Sequence, residues 1–248
     1  MNETIIELKN INTIYEGEKI PVIKDISLSI KTGEFVSIIG PNGAGKTTLL
    51  ETINGLLDYT GGKGYVYGKE IKKNKNHIRK NIGFLIQNFE IDPLAPFLCK
   101  DVVMMGRNGK TGLLRFHNKK DWDKVWYSMG LVGMIDFANR PIGKLSGGEF
   151  QKILMARVLT QQPNIFLLDE PLSNLDYSSR HQIETLLNRL HEKHNLTILM
   201  VSHDLSFIPD RCKRIIVLDK GKIVMDGAKK NIMESDEIKY IFNKKGVK

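Results

Sequence analysis

The stretch Gly40-Pro41-Asn42-Gly43-Ala44-Gly45-Lys46-Thr47 has the residue types and the spacing that hold a chain of phosphates. A glycine, four residues and then Gly-Lys-Thr let the backbone curl so that successive N–H groups point at an anion. Lys46 reaches toward the outer phosphates, and the Thr47 hydroxyl is a hard oxygen suited to Mg²⁺. The preceding Phe35-Val36-Ser37-Ile38-Ile39 is short and apolar and reads as a buried strand. Thr48 to Ile53 carries apolar spacing compatible with a helix, whose N-terminal end favours anions. A chance glycine-rich turn would not need all eight positions and both flanks to agree.

A second group with chemistry lies far along the chain. Ile165-Phe166-Leu167-Leu168 reads as a buried strand that ends in Asp169-Glu170. Carboxylates at the mouth of a parallel sheet suit metal and phosphate chemistry. Asp169 is the natural partner of a phosphate-bound Mg²⁺, and Glu170 is a candidate base for activating water. Taken alone, the pair also reads as a solvated loop; the phosphate loop is what favours the chemical reading.

These residues need elements to position them. Ile5–Leu8 and Ile26–Ile30 read as strands, with Tyr15 between them in an exposed-looking polar stretch that ends at Pro21. Gly64–Gly68 and Ile82–Ile86 are further strand candidates, the second ending at Gln87. The region from about 88 to 160 changes character, with Pro93 and Pro96 followed by helical composition over 100–105 and 121–129. Leu145-Ser146-Gly147-Gly148 leads into a helix with Phe150, Ile153, Leu154 and Val158 as its apolar stripe. An amphipathic helix over 178–194 comes next, and Thr197–Val201 is a buried strand ending at Ser202-His203-Asp204. Asp219-Lys220-Gly221 joins two strands in a hairpin, and the tail after Gly227 reads as a short basic helix.

Apolar and charged fractions of 41% and 26% are those of an ordinary globular protein, and no run reaches the ~18 apolar residues of a membrane span. The amino terminus lacks the pattern of a signal peptide. Cys99 and Cys212 are far apart and in no metal-binding spacing, which favours a reducing compartment. The net charge of +9 comes from scattered lysines without interleaved aromatic residues, so solvated surface is favoured over a nucleic-acid platform. His191 and His194 are three apart, yet Glu192-Lys193 between them indicates an exposed helix face rather than a metal site.

In this order the motifs resemble the ATP-binding subunits of ABC transporters, over almost the whole chain. Leu145-Ser146-Gly147-Gly148-Glu149 resembles the family's signature motif and Ser173-Asn174-Leu175-Asp176 its D-loop. Gln87 resembles its Q-loop residue, His203 its switch histidine and Tyr15 its adenine-stacking aromatic. The resemblance implies an α/β fold: a P-loop NTPase (RecA-like) core over about 1–87 and 161–248 with an antiparallel β subdomain, and a helical subdomain over about 88–160. It implies that Gly40, Pro41, Asn42, Gly43, Ala44, Gly45, Lys46, Thr47 and Thr48 bind ATP, with Tyr15 on adenine. Thr47, Gln87 and Asp169 would organise Mg²⁺, Glu170 would polarise the attacking water, and His203 would contact the γ-phosphate. Ser146, Gly147 and Gly148 would bind ATP held by a second subunit, with Asp176 at the dimer seam. Glu149 stands where glutamine is usual, Asn174 where alanine is usual and Leu172 where threonine is usual; these departures bear on rates.

The implied partners are a second copy, membrane-spanning permease subunits docking on about 88–107, and a substrate-binding protein, at the cytoplasmic face of the cell membrane; no nucleic acid is implied. Chromosome-maintenance ATPases with the same head insert hundreds of coiled-coil residues before the signature, whereas Lys46 and Ser146 are 100 positions apart (146 minus 46). Translation-type factors carry two heads in one chain, and this chain has one. Asp101–Arg107 and Arg140–Gly143 resemble the importers of zinc or manganese, and next those of siderophore, haem or cobalamin.

Overall fold

The computed structural model describes residues 3–18, 20–87, 92, 96–112 and 116–243, the last by its backbone. The chain begins with β1 (Thr4–Thr13) and β2 (Ile23–Lys31), followed by β3 (Phe35–Ile39) and α1 (Lys46–Ile53). Then come β4 (Gly61–Val66), β5 (Lys69–Glu70), α2 (Ile71–Asn81) and β6 (Ile82–Leu85). Helices α3 (Cys99–Met105), α4 (Asn108–Thr111), α5 (Lys119–Leu131) and α6 (Gly147–Thr160) precede β7 (Ile165–Asp169). The remainder is α7 (Tyr177–His194), β8 (Thr197–Ser202), β9 (Arg214–Asp219), β10 (Lys222–Ala228), α8 (Lys229–Glu234) and α9 (Asp236–Asn243).

Two sheets form. The four-stranded antiparallel one has the order β2-β1-β4-β5, and the six-stranded one the order β10-β9-β3-β8-β7-β6. In the larger sheet β9, β3, β8, β7 and β6 run parallel, and β10 returns antiparallel through the hairpin at Lys220-Gly221. Side chains alternate across the strands, so adjacent residues feed opposite cores. Phe35, Ile39, Phe166, Leu168, Ile198 and Met200 pack on the side of α3, α5, α6 and α7. Val36, Ile38, Ile165, Leu167, Leu199 and Val201 pack on the side of the smaller sheet and α1. Burial on both faces explains the continuous apolar runs of β3, β7 and β8. Each such side chain contributes about 1.5–3 kcal/mol on full burial.

Several expectations change. The first strand runs on to Thr13, because Ile11 and Thr13 are fully buried against the partner strand. Gly61 and Gly62 lie inside β4 rather than before it, and Tyr67-Gly68 forms the turn into β5. Lys72, Lys73 and Lys75 lie on a helix, α2, which a pattern of only two buried residues, Ile71 and Ile78, did not reveal. The tail is two short helices, α8 and α9, each pinned by one buried isoleucine, Ile232 and Ile238. Tyr15 is half-buried rather than exposed, since its hydroxyl bonds to α1. Of the stretch 88–107 expected to receive the permease, 88–91 and 93–95, Pro93 included, lie outside the described residues.

The helices from α3 to α6 are held by close contact and one buried ion pair. A Cβ on Gly106 would sit 1.9 Å from the carbonyl oxygen of Arg157, so α3 and α6 approach backbone to backbone there. Arg107 then turns inward. Its Nε donates to Asp121 Oδ1 at 2.9 Å and its Nη1 to the Thr160 carbonyl at 3.1 Å, joining the ends of α3 and α6 to the start of α5. Asp121 also completes a capping box with Asn118, which stops the buried carboxylate from depending on arginine alone. Gly106→Ala is expected to destabilise the fold by about 1–3 kcal/mol, the range for an overpacked contact. The denaturation midpoint measures it, and an unchanged midpoint would contradict the contact.

Candidate active site

The phosphate loop leaves β3 at its carboxyl end. A Cβ on Gly40 would meet the Leu218 carbonyl oxygen at 2.1 Å, so only glycine lets the loop pass under β9. Gly45 caps α1 at φ 97, a conformation that costs other residues strain. Hydrogen bonds from Ala44 N to Pro41 O and from Gly221 N to Ala44 O fix the loop to itself and to the β9–β10 turn. Lys46 is buried, and its Nζ donates to the carbonyls of Gly40 at 2.8 Å and Pro41 at 3.1 Å. The ammonium is thereby held over the loop, where an anion chain would meet it.

A cleft of about 380 Å³ opens above the loop. Asn42, Gly43, Gly45, Lys46, Thr47 and Thr48 line it from the loop side, and Gln87, Glu170 and His203 from the far side, with Val22 at the rim. Three residues from distant parts of the chain meet on one oxygen: Gln87 Nε2 donates to Glu170 Oε2 at 2.7 Å, and His203 Nδ1 lies 2.9 Å from the same atom. Glu170 takes φ 49 and donates its backbone N–H to the Val201 carbonyl, so the chain turns at the strand end and brings the carboxylate over the cleft. Left-handed backbone at a non-glycine residue is strained and is common where a side chain must be held for chemistry.

Beneath it, Asp169 is 2% exposed, and burial pushes its carboxyl up to about 6 against a hydrogen bond from Thr47 that lowers it. Its Oδ1 is buried and makes no hydrogen bond among the described residues. An orphaned carboxylate oxygen beside a threonine hydroxyl, with an amide near, is a set of hard oxygens that fits Mg²⁺. Phosphate oxygens and water would complete the coordination.

Other candidates lie elsewhere. Ser146, Gly147, Gly148 and Asp176 do not line this cleft. Ser146 caps α6 and forms a capping box with Glu149, whose Oε2 accepts from Ser146 N at 2.8 Å. That hydrogen bond keeps the Glu149 carboxyl below its usual range. The glutamate therefore has a local role that the Ser-x-x-Glu spacing could have revealed. Asp176 caps α7 through Ser179, and a Cβ on Gly148 would collide with Ser179 Oγ at 2.4 Å, so the starts of α6 and α7 are packed together. Asn174 sits at φ 58, a conformation asparagine tolerates better than alanine, and Leu172 is buried in the core. Tyr15 is not among the lining residues either; its hydroxyl bonds to Thr48 Oγ1 at 3.0 Å and Glu51 Oε2 at 3.2 Å beside the loop helix. His191 Nε2 lies 2.9 Å from the Gly33 carbonyl oxygen and its ring packs on Phe35, so this histidine is partly buried rather than on an exposed face. Sequence reasoning did not single out Val22 at the rim or Arg180 behind Glu170.

The family model described as "ABC transporter" matches residues 23–173, more than half of the chain. This chain belongs to the ABC transporter family. It is an ATP-binding subunit of that family and an ATPase. The manganese transport system ATP-binding protein of Bacillus subtilis (strain 168) is 39% identical over 237 residues, 96% of this chain and 92% of that protein. A metal-chelate type ABC transporter in an inward-facing conformation superposes with a TM-score of 0.84 at 25% identity, covering 97% of this chain and 90% of that one. A dimeric ATP-binding cassette in a post-hydrolysis state with ADP and phosphate superposes with a TM-score of 0.78 at 30% identity, covering 91% and 99%. The fold is thus that of an ABC cassette, a type that dimerises and works with transporter permease components. No helix among the described residues is long and apolar enough to cross a membrane.

Burial of Asp169 also ties stability to pH. With a folded value near 6 above the ordinary 3.8, its contribution to stability is fully present below about pH 4 and is lost as pH rises through 6. Without nucleotide or Mg²⁺, Asp169→Asn should melt higher than wild type at pH 7.5, with a smaller difference at pH 4.5. A melting-temperature series over that range tests this; a difference independent of pH would contradict it.

Proposed function

We propose that this ATPase powers the import of a metal ion, of the manganese or zinc kind, across the cell membrane. The observation that carries this reading is the 39% identity, over nearly all of both chains, to the Bacillus subtilis manganese transport subunit. The metal-chelate type transporter supports a chelate importer, for siderophore, haem or cobalamin, as the second reading. The cargo does not meet this chain, so no residue here recognises it. Its partners are a second copy, permease subunits and a substrate-binding protein, and it works at the cytoplasmic face of the membrane. In this reading the chain divides into a nucleotide-binding core with its β subdomain, about 1–87 and 161–248, and a helical subdomain, about 88–160.

In this reading the loop amides from Gly40 to Thr48 and the Lys46 ammonium hold the phosphates, and Tyr15 offers its ring to adenine. Thr47, Asp169 and, partly through water, Gln87 would hold Mg²⁺, which when bound neutralises charge on the phosphate oxygens. Glu170 takes a proton from the attacking water as its oxygen bonds to the γ-phosphorus and the bond to ADP breaks. His203, whose Nδ1 lies 2.9 Å from Glu170 Oε2, would contact the γ-phosphate. Ser146, Gly147 and Gly148 of one copy reach the ATP of the other, and Asp176 lies at the seam. Their position outside their own chain's cleft supports action in trans.

Glu170→Gln should keep ATP binding, lose hydrolysis about 10²- to 10⁴-fold and accumulate as an ATP-bound dimer in gel filtration; wild-type turnover would sink the base assignment. Ser146→Arg should leave the nucleotide affinity of the monomer within about twofold while abolishing dimer closure. A large loss of monomer affinity would place Ser146 in its own chain's site. For cargo, the copurified permease reconstituted with this subunit should accumulate manganese on addition of ATP, and uptake of a chelate alone would favour the second reading.

A further inference from the structure

Behind Glu170, away from the phosphate loop, is a small cavity of about 150 Å³ bordered by Glu170, Asn174, Arg180, His203 and Asp204. Arg180, in the first turn of α7, spans it. Its Nε donates to the Leu175 carbonyl at 2.8 Å, its Nη1 lies 3.7 Å from Asp204 Oδ2, and its guanidinium stacks 4.7 Å from the centre of the Phe207 ring. Tyr177 packs edge-on against the same ring. On one side, the loop 173–176 hangs from Glu170, whose carbonyl accepts from Ser173 N and Oγ. On the other, Asp204 directly succeeds His203 and caps the turn Leu205–Phe207 through Ser206 N. The contacts close a ring: Glu170 to Ser173 and Leu175, to Arg180, to Asp204, to His203 Nδ1, and back to Glu170 Oε2.

We propose that Arg180 is a positioning residue for ATP hydrolysis, locking the 173–176 loop to the segment after His203 and so holding His203 on Glu170. The inference rests on the reading that Glu170 activates water. His203 is half exposed and meets Glu170 through one contact, so its placement depends on the backbone that carries it. Only a planar, forked cation serves a carbonyl, a carboxylate and an aromatic face at once. Arg180 does not line the nucleotide cleft, so its loss acts on the chemical step and not on ATP binding.

The test is steady-state Mg-ATP hydrolysis by the purified full chain carrying Arg180→Ala, Arg180→Lys, Asp204→Asn or the Arg180→Ala/Asp204→Asn pair. Arg180→Ala should lower kcat about 10- to 100-fold, the scale of a small misplacement of catalytic groups, with KM within about twofold. Arg180→Lys should recover part of the loss, and the pair should be no slower than Arg180→Ala alone. An unchanged kcat, a loss confined to KM, or additive losses in the pair would overturn the proposal. Should Arg180→Ala fail to fold, Arg180→Lys and Asp204→Asn carry the same comparison. Glu170→Gln measured in parallel separates the failures. Turnover retained there removes the Glu170 reading and this inference together, whereas an inactive Glu170→Gln beside a wild-type Arg180→Ala removes this inference alone.

Discussion

The parallel register of β3, β8 and β7 is the constraint on which the site depends. Ile39 pairs with Ser202, and Asp169 pairs with Val201, so three strands end at one edge of the sheet. The segment at each strand's carboxyl end is therefore delivered to the same place: the phosphate loop after β3, Asp169-Glu170 at the end of β7, His203 after β8. A one-residue slip in any pair would reverse which face each side chain meets and would bury the wrong residues. The apolar side chains that fill both faces of these strands are what hold the register, and so the core energetics and the site geometry are one problem.

Few charged side chains are buried among the described residues. Lys46, Asp169 and the Arg107–Asp121 pair are buried, and the charge of each is met by a different means. Lys46 rests on loop carbonyls and Arg107 pairs with a capped carboxylate. Asp169 keeps an orphan oxygen, and burial raises its pKa. Glu170 lies at the next position and is anchored from two distant segments, which makes it the point where the sheet edge, Gln87 and His203 meet.

The starts of α6 and α7 form a second surface, apart from the cleft. A capping box fixes Ser146 and Glu149, a side-chain cap fixes Asp176, and Gly148 lets the two helices touch. Such local fixing needs no ligand. It holds these residues in place outside the cleft that their own phosphate loop lines.

The phosphate loop, the buried strands β3, β7 and β8 and the amphipathic α7 were legible in the sequence because each is a local pattern: glycine spacing, an apolar run, or a repeat of three and four residues. The Glu149 cap was equally local and was there to be read in Ser-x-x-Glu. Helix α2 was not legible, because two isoleucines among lysines give almost no period. Glycine spacing and strand-ending carboxylates marked, from the sequence, where along the chain the candidate site lies. It took the folded chain to show that Gln87 and His203 meet on one oxygen of Glu170, that Asp169 is buried with its Oδ1 unpartnered, and that Arg180 closes a ring behind them. Those contacts join segments far apart in the chain, and sheet register and packing, which no local pattern encodes, bring them together.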